Sequence, residues 1–147
     1  MIIEDATFSD IPQMCELLDL LFSQEHEFQP DRIKQRAALS VLVCNSQRGR
    51  IFVLRDQETV LGMVSAQIVV STACGGDVLL LEDLVVHPAC RKRGYGSALL
   101  DHVIDFARHG GYRRITLLTD PDNAGARHFY ERRGFAGSGM TPYRMLF

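Results

Sequence analysis

The sequence lacks both a cationic excess and a long apolar run. The net charge is −2 for 147 residues, whereas a general nucleic-acid-binding protein needs a large excess of Lys and Arg to neutralise phosphates. No apolar stretch approaches the roughly 20 residues that cross a bilayer, and the N-terminal stretch MIIEDATFSD carries acids where a signal peptide carries cations. These absences predict a cytoplasmic protein that binds neither nucleic acid nor membranes.

The cysteines are scattered along the chain. The four cysteines form no C-x-x-C pair and have no histidine at the spacing of a metal site; they are Cys15, Cys44, Cys74 and Cys90. We therefore expect reduced thiols and no bound metal. Because 46% of the 147 residues are apolar, the chain can bury a core without disulfides, which predicts a single domain over residues 1–147.

Apolar periodicity predicts a mixed α/β order. A first helix is expected from Ile11 to Leu21, with Thr7 and Asp10 as a capping box at its start. The short turn QE between two β-rich runs predicts an antiparallel hairpin. The patterns also predict a helix over residues 31–44, a helix that follows the glycine turn and stops at Gly110 and Gly111, and a helix from 123 towards the glycine at 134. Strands are predicted over residues 1–6, 50–56, 59–71, 78–86, 113–119 and 141–147.

A glycine turn with three cations lies between the strand at 78–86 and the helix that follows. Residues 91–97 read RKRGYGS. Glycines let backbone N–H groups converge on an anion, and the helix N-terminus adds partial positive charge. The Walker A pattern is absent, and Leu99 stands where a dinucleotide fingerprint needs its third glycine. The turn therefore predicts a pyrophosphate-binding site of a different type, with the pattern Arg91-x-x-Gly94-x-Gly96. The alternative is a structural turn whose cations are solvated.

The glycine turn belongs to a longer block, residues 79–135, with two separate motifs in order. These are RKRGYG and the pattern N-x-x-A-x-x-F-Y-x-x-x-G-F that begins at Asn123. The block resembles the GNAT superfamily of acyl-CoA-dependent N-acetyltransferases. The resemblance implies an α/β fold with a mixed, mostly antiparallel central sheet and helices on both faces. It also implies acetyl-CoA as the cosubstrate.

Carried over residue by residue, the resemblance implies which residues bind the coenzyme. The backbone of Leu84, Val85 and Val86 would pair with the pantetheine arm like an added strand, a contact that needs no particular side chain. Asn123 is either a side-chain contact to the cofactor or simply a helix N-cap. The pyrophosphate cradle would be formed by the N–H groups of Arg91, Lys92, Arg93, Gly94, Tyr95, Gly96 and Ser97.

Two side chains are candidates for the chemistry. The phenol of Tyr130 has an ordinary pKa of roughly 10 and could protonate a departing thiolate; the alternative is a core aromatic. Strand alternation puts Glu82 on the face of Leu80 and Leu84, where we expect it to be a buried acid that takes the proton of the attacking amine or plays a structural part. For its neighbour Asp83 we expect a structural role.

The resemblance predicts an enzyme that transfers an acetyl group to a primary amine by direct attack. The alternative is a non-catalytic acyl-CoA sensor that acts through a partner. The acceptor is expected to be a small-molecule amine or an amine of a peptide or protein. A homodimer is one possible oligomeric state. Glu25 and Glu27 in SQEHEF would lie at the acceptor end and favour a small cationic amine.

Overall fold

The computed structural model describes all 147 residues, which divide into two compact units, Met1–Leu117 and Leu118–Phe147. No helix has the length and apolar character that a membrane crossing requires. The first unit contains β1 (Ile2–Asp5), α1 (Ile11–Phe22), α2 (Arg32–Cys44), β2 (Gly49–Asp56), β3 (Thr59–Ser71), β4 (Gly76–Val86), α3 (Tyr95–His109) and β5 (Ile115–Leu117). The second contains α4 (Ala124–Glu131).

The five strands form one sheet in the order β1-β2-β3-β4-β5. The first three pairings are antiparallel, and β2 and β3 form the predicted hairpin through a turn at Gln57 and Glu58. β5 pairs parallel with β4, and only Leu79–Leu81 of β4 takes part. The predicted mixed, mostly antiparallel sheet is therefore confirmed.

Helices cover both faces of the sheet. Ile51 and Val53 of β2 point towards α1 and α2, where they join the main apolar cluster with Met14 and Leu17. Phe52 lies between them in sequence and points the other way, because side chains alternate along a strand. Its ring contacts those of His102 and Phe106 on α3, at centroid distances of 4.6 and 5.2 Å.

The start of α1 is fixed by a buried carboxylate. Asp10 is 2% exposed; it accepts a hydrogen bond from the Thr7 N–H at 2.7 Å and forms an ion pair with Arg55 at 2.8 Å. Burial raises the pKa of Asp10, but the bonds from Thr7 and Arg55 together outweigh burial and lower it. The predicted capping box is present, and it closes a 3₁₀ turn over Phe8–Asp10 just before α1.

Two predicted strands differ from the structure. Of residues 113–119, only Ile115–Leu117 pair as a strand. Residues 141–147 form no strand, so that prediction was wrong, and Tyr143, Leu146 and Phe147 are exposed. Apolar, β-prone residues become a strand only beside a free backbone edge, and the local sequence does not report where such an edge lies.

Candidate active site

A β-bulge in β4 separates the two adjacent acids. Ser65 of β3 pairs with Asp83, but the next residue, Ala66, pairs with Leu81, so Glu82 is an extra residue in β4. An extra residue reverses the alternation on its far side. Glu82 is consequently exposed rather than buried, and Asp83 is the half-buried acid. The expectation that Glu82 is a buried acid on the face of Leu80 and Leu84 was wrong.

The bulge is followed by an open backbone edge. The N–H of His87 donates to the carbonyl of Leu61 at 2.8 Å, which fixes which residues of β4 bond to β3. Because hydrogen bonding alternates along an antiparallel pair, Val85 bonds to β3 while Leu84 and Val86 direct their N–H and C=O groups to the other side. β5 has no pairing beyond Leu81 on that side. Two residues therefore present backbone groups that an extended ligand could pair with.

The glycine turn connects this edge to α3. Lys92 and Gly94 both have positive φ angles, 62° and 82°. The helix begins at Tyr95, and its first internal bond runs from the Ala98 N–H to the Gly94 carbonyl at 2.9 Å. The N–H groups of the first helical residues, 95–97, consequently have no acceptor within the helix. This helix end has no acidic residue in its first turn, so it is suited to an anion.

Arg91 has partners within the turn and beyond it. Its N–H closes a 3₁₀ turn with the Pro88 carbonyl at 3.3 Å. Its guanidinium lies 3.5 Å from the Val86 carbonyl and 3.4 Å from Oε1 of Gln24. Arg91 therefore links the segment after α1 to the end of β4, whereas Lys92 and Arg93 are exposed cations.

Asp83 lies on the α1 face of the sheet, the face of Val85. Its Oδ2 accepts a hydrogen bond from the Ser65 hydroxyl at 3.0 Å, and its N–H donates to the same hydroxyl oxygen at 3.2 Å. Burial raises the pKa of Asp83 to about 6; the Ser65 bond lowers it, and the charges of Glu82 and Glu25 raise it further. Asp83 is thus a carboxyl that changes charge near neutral pH.

The second unit carries the remaining two candidates. Asn123 caps α4, because its Oδ1 accepts from the Ala126 N–H at 3.0 Å. Tyr130 is half-buried, with its ring near those of Phe129 and Phe135 at 5.1 and 5.8 Å. Burial raises the pKa of its phenol. The side chain is therefore protonated at neutral pH, as an acid must be.

Comparison with known proteins identifies the family. The model of the acetyltransferase (GNAT) family matches residues 11–135, most of the chain. The chain belongs to this family. Membership implies acetyl-CoA as the cosubstrate, and the expected enzyme class, a GNAT N-acetyltransferase, is confirmed at the level of the family.

Curated relatives carry the same activity in their names. The chain is 28% identical over 117 residues to the uncharacterized N-acetyltransferase YhfO of Bacillus subtilis strain 168, covering 78% of each. It is 39% identical over 71 residues to streptothricin acetyltransferase of Streptomyces lavendulae, covering 48% of the chain and 38% of that protein. The chain thus spans well under half of the second relative.

Solved structures share the fold. A possible acetyltransferase from Clostridium difficile 630 has a TM-score of 0.87 at 15% identity, over 99% of the chain and 98% of that structure. An aminoglycoside acetyltransferase from an uncultured soil metagenomic sample, in complex with sisomicin, has a TM-score of 0.79 at 18% identity, over 99% of the chain and 95% of that structure. At these identities the likeness concerns the fold alone.

The contact between Ser65 and Asp83 is seen only in the structure of this GNAT protein and was not predicted from its sequence. The one sequence signal for Ser65 is a polar residue inside the apolar run MVSAQIVV, and it is 1% exposed. The bulge that buries Asp83 has no sequence signal, because no glycine or proline marks it.

Proposed function

We propose that the protein transfers the acetyl group of acetyl-CoA to a primary amine. The observation that carries this proposal is the edge of β4 at Leu84 and Val86, with which no strand pairs and which ends at a glycine turn and a helix N-terminus without acidic residues. An extended amide-bearing arm followed by a pyrophosphate matches this order of features. Acetyl-CoA therefore fits the residues present.

The cofactor contacts follow from this order. Leu84 and Val86 bind the amides of the pantetheine arm through backbone groups, while Val85 supports the strand by its bonds to β3 and its buried side chain. The pyrophosphate accepts hydrogen bonds from the turn and the first helical residues, with Lys92 and Arg93 supplying charge. Asn123 still has its side-chain NH₂ for a cofactor contact while its oxygen caps α4.

The reaction needs a base and an acid. An alkylammonium with a pKa of about 10.4 must lose a proton before its nitrogen attacks the thioester carbonyl. The sequence supplies Glu82 as this base, and its exposure at the bulge leaves it open to water and substrate. Tyr130 gives its proton to the sulfur as the C–S bond breaks, and its raised pKa keeps the phenol protonated until that step.

The acceptor is a small cationic amine, such as a diamine or a lysine-like compound. The supporting observation is charge: Glu25 and Glu82 both act on Asp83 electrostatically, so three carboxyls share one region. A local negative field concentrates cationic substrates even when the net charge is small.

A binding assay and a turnover assay test the function together. Acetyl-CoA should raise the melting temperature, whereas NAD and ATP should not, because the turn lacks their glycine patterns. Free thiol should then appear from acetyl-CoA with 1,6-diaminohexane or another amine of a panel. Stabilisation without turnover on any amine would favour the acyl-CoA sensor, and stabilisation by NAD alone would contradict both functions.

A further inference from the structure

The bulge gives the protein a second carboxyl for proton transfer, better held than the exposed Glu82. The Ser65 hydroxyl contacts both the side chain and the N–H of Asp83, at 3.0 and 3.2 Å. The two bonds fix the carboxyl relative to the strand edge, because Ser65 is itself 1% exposed and embedded in β3. By comparison, no hydrogen bond orients the carboxyl group of Glu82.

Asp83 also lies on the side of the sheet that faces α1 and the acidic segment after α1. It shares the α1 face with Val85, and the charge of Glu25, which follows α1, reaches it. The neighbouring Gln24 accepts from Arg91 in the glycine turn. Within the first unit, the segment after α1 therefore lies near Asp83 and also contacts the glycine turn.

We propose that Asp83 accepts the proton of the amine substrate and that Ser65 is the residue that positions its carboxylate. This inference rests on the proposed function and replaces Glu82 as the base. The groups that act on Asp83 are Ser65 from β3, Glu82 from its own strand and Glu25 after α1, with no cation among them. A base with a pKa of about 6 is better matched to neutral pH than an ordinary carboxylate.

The protons and bonds balance as follows. Asp83 takes one proton from the bound ammonium, and the freed nitrogen forms a bond with the thioester carbonyl carbon. The C–S bond breaks, and the sulfur leaves with the proton of Tyr130. The second nitrogen proton and the proton on Asp83 pass to solvent, from which Tyr130 regains one. The net products are the amide, the free thiol of coenzyme A and one proton.

Signed shifts of the pH profile test the assignment. With the best amine of the panel, kcat/KM should rise with pH through about 6, the pKa of Asp83, because the base acts when deprotonated. Ser65→Ala should move this limb to higher pH, since it removes the bond that lowers the pKa. Glu82→Gln and Glu25→Gln should move it to lower pH, and Ser65→Thr, which keeps a hydroxyl, should restore the parent profile.

Loss of the base should be severe. Asp83→Asn should lower kcat by about 100-fold or more and abolish the limb, whereas the exposed Asp77→Asn in the same strand should do neither. Acetyl-CoA binding, measured by calorimetry, should be unchanged in Asp83→Asn. The inference is overturned if Asp83→Asn keeps the limb and most of its turnover while Glu82→Gln loses both. Absence of turnover by the parent on every amine would instead overturn the proposed function.

Thermal unfolding shows whether Asp83→Asn is folded. A carboxyl whose pKa is raised in the folded state contributes stability below its unfolded pKa of about 3.9, and this contribution is lost as pH rises through about 6. Asp83→Asn should therefore melt above the parent at pH 7.5. If Asp83→Asn melts far below the parent, Ser65→Ala takes its place in the test. The shift of its kcat/KM limb to higher pH then decides whether Asp83 is the base.

Discussion

Tyr130, Glu82 and Asp83 carry the proton-transfer groups of the proposed reaction, and the three side chains differ in burial. Burial keeps Tyr130 protonated because it raises the pKa of the phenol. Burial also raises the pKa of Asp83, whereas Glu82, one residue earlier, is exposed. Glu82 is exposed because it is the extra residue of the bulge, whereas Asp83 pairs directly with the buried Ser65.

Tyr130→Phe tests the acid at the scale of one oxygen atom. The ring contacts with Phe129 and Phe135 remain, so folding and acetyl-CoA affinity should be kept. Turnover should fall by about 100- to 10,000-fold, the usual contribution of a general acid. Single-turnover kinetics measure the chemical step directly. A loss below about threefold there would make Tyr130 a packing aromatic, since an acid that matters contributes far more.

Two glycines at opposite ends of the element α3 provide a test variant and a matched control variant. Gly94 and Gly111 have φ angles of 82° and 72°, and a Cβ at either would meet nothing within 4 Å. Valine at either position should cost about 1–2 kcal/mol of stability, because such φ angles strain any residue with a Cβ. They lie just beyond opposite ends of the 15-residue helix α3, which is about 22 Å long.

Gly94→Val should weaken acetyl-CoA binding because the side chain obstructs close approach of the pyrophosphate, whereas Gly111→Val should not. Calorimetric titration of both variants, with melting temperatures for each, separates binding from strain. Equal affinities in the two variants would mean that the turn is only structural.

The elements with a strong local signal could be predicted from the sequence. α1 follows from apolar residues at helical spacing, and the β2–β3 hairpin follows from two β-rich runs around a short turn. The bulge at Glu82 could not be predicted, because a bulge depends on the register of β4 against β3 and the local sequence of β4 contains no signal for it. The prediction for residues 141–147 was wrong for a related reason, since a strand needs a partner that the local sequence does not specify.

The same limit applies to the candidate site. The glycine turn and Tyr130 could be found by motif, since their neighbours in sequence are also their neighbours in structure. Ser65 and Asp83 are 18 residues apart and meet only because β3 and β4 pair. Side-chain pairs across a sheet of this kind are visible only once the register is known.

At the scale of the whole molecule, charge is nearly balanced but unevenly placed. The net charge of −2 gives no general attraction for cations. Yet Glu25 and Glu82 both raise the pKa of Asp83, which shows that their negative charges add in one region. Any preference among acceptors must therefore come from this local field rather than from the net charge.

Charge reversal of Glu25 and Glu27 to Lys tests that preference with two amines of matched length. The KM for 1,6-diaminohexane should rise, because the second ammonium loses its attraction, while the KM for 6-aminohexanoate, which has a carboxylate at that end, should not. The KM for acetyl-CoA should stay the same. The difference between parent and variant should shrink as salt is added, since exposed charges are screened over roughly 10 Å at 0.1 M ionic strength. If the double variant handles both amines as the parent does, the acceptor is bound away from the segment after α1, and the preference for cations has another source.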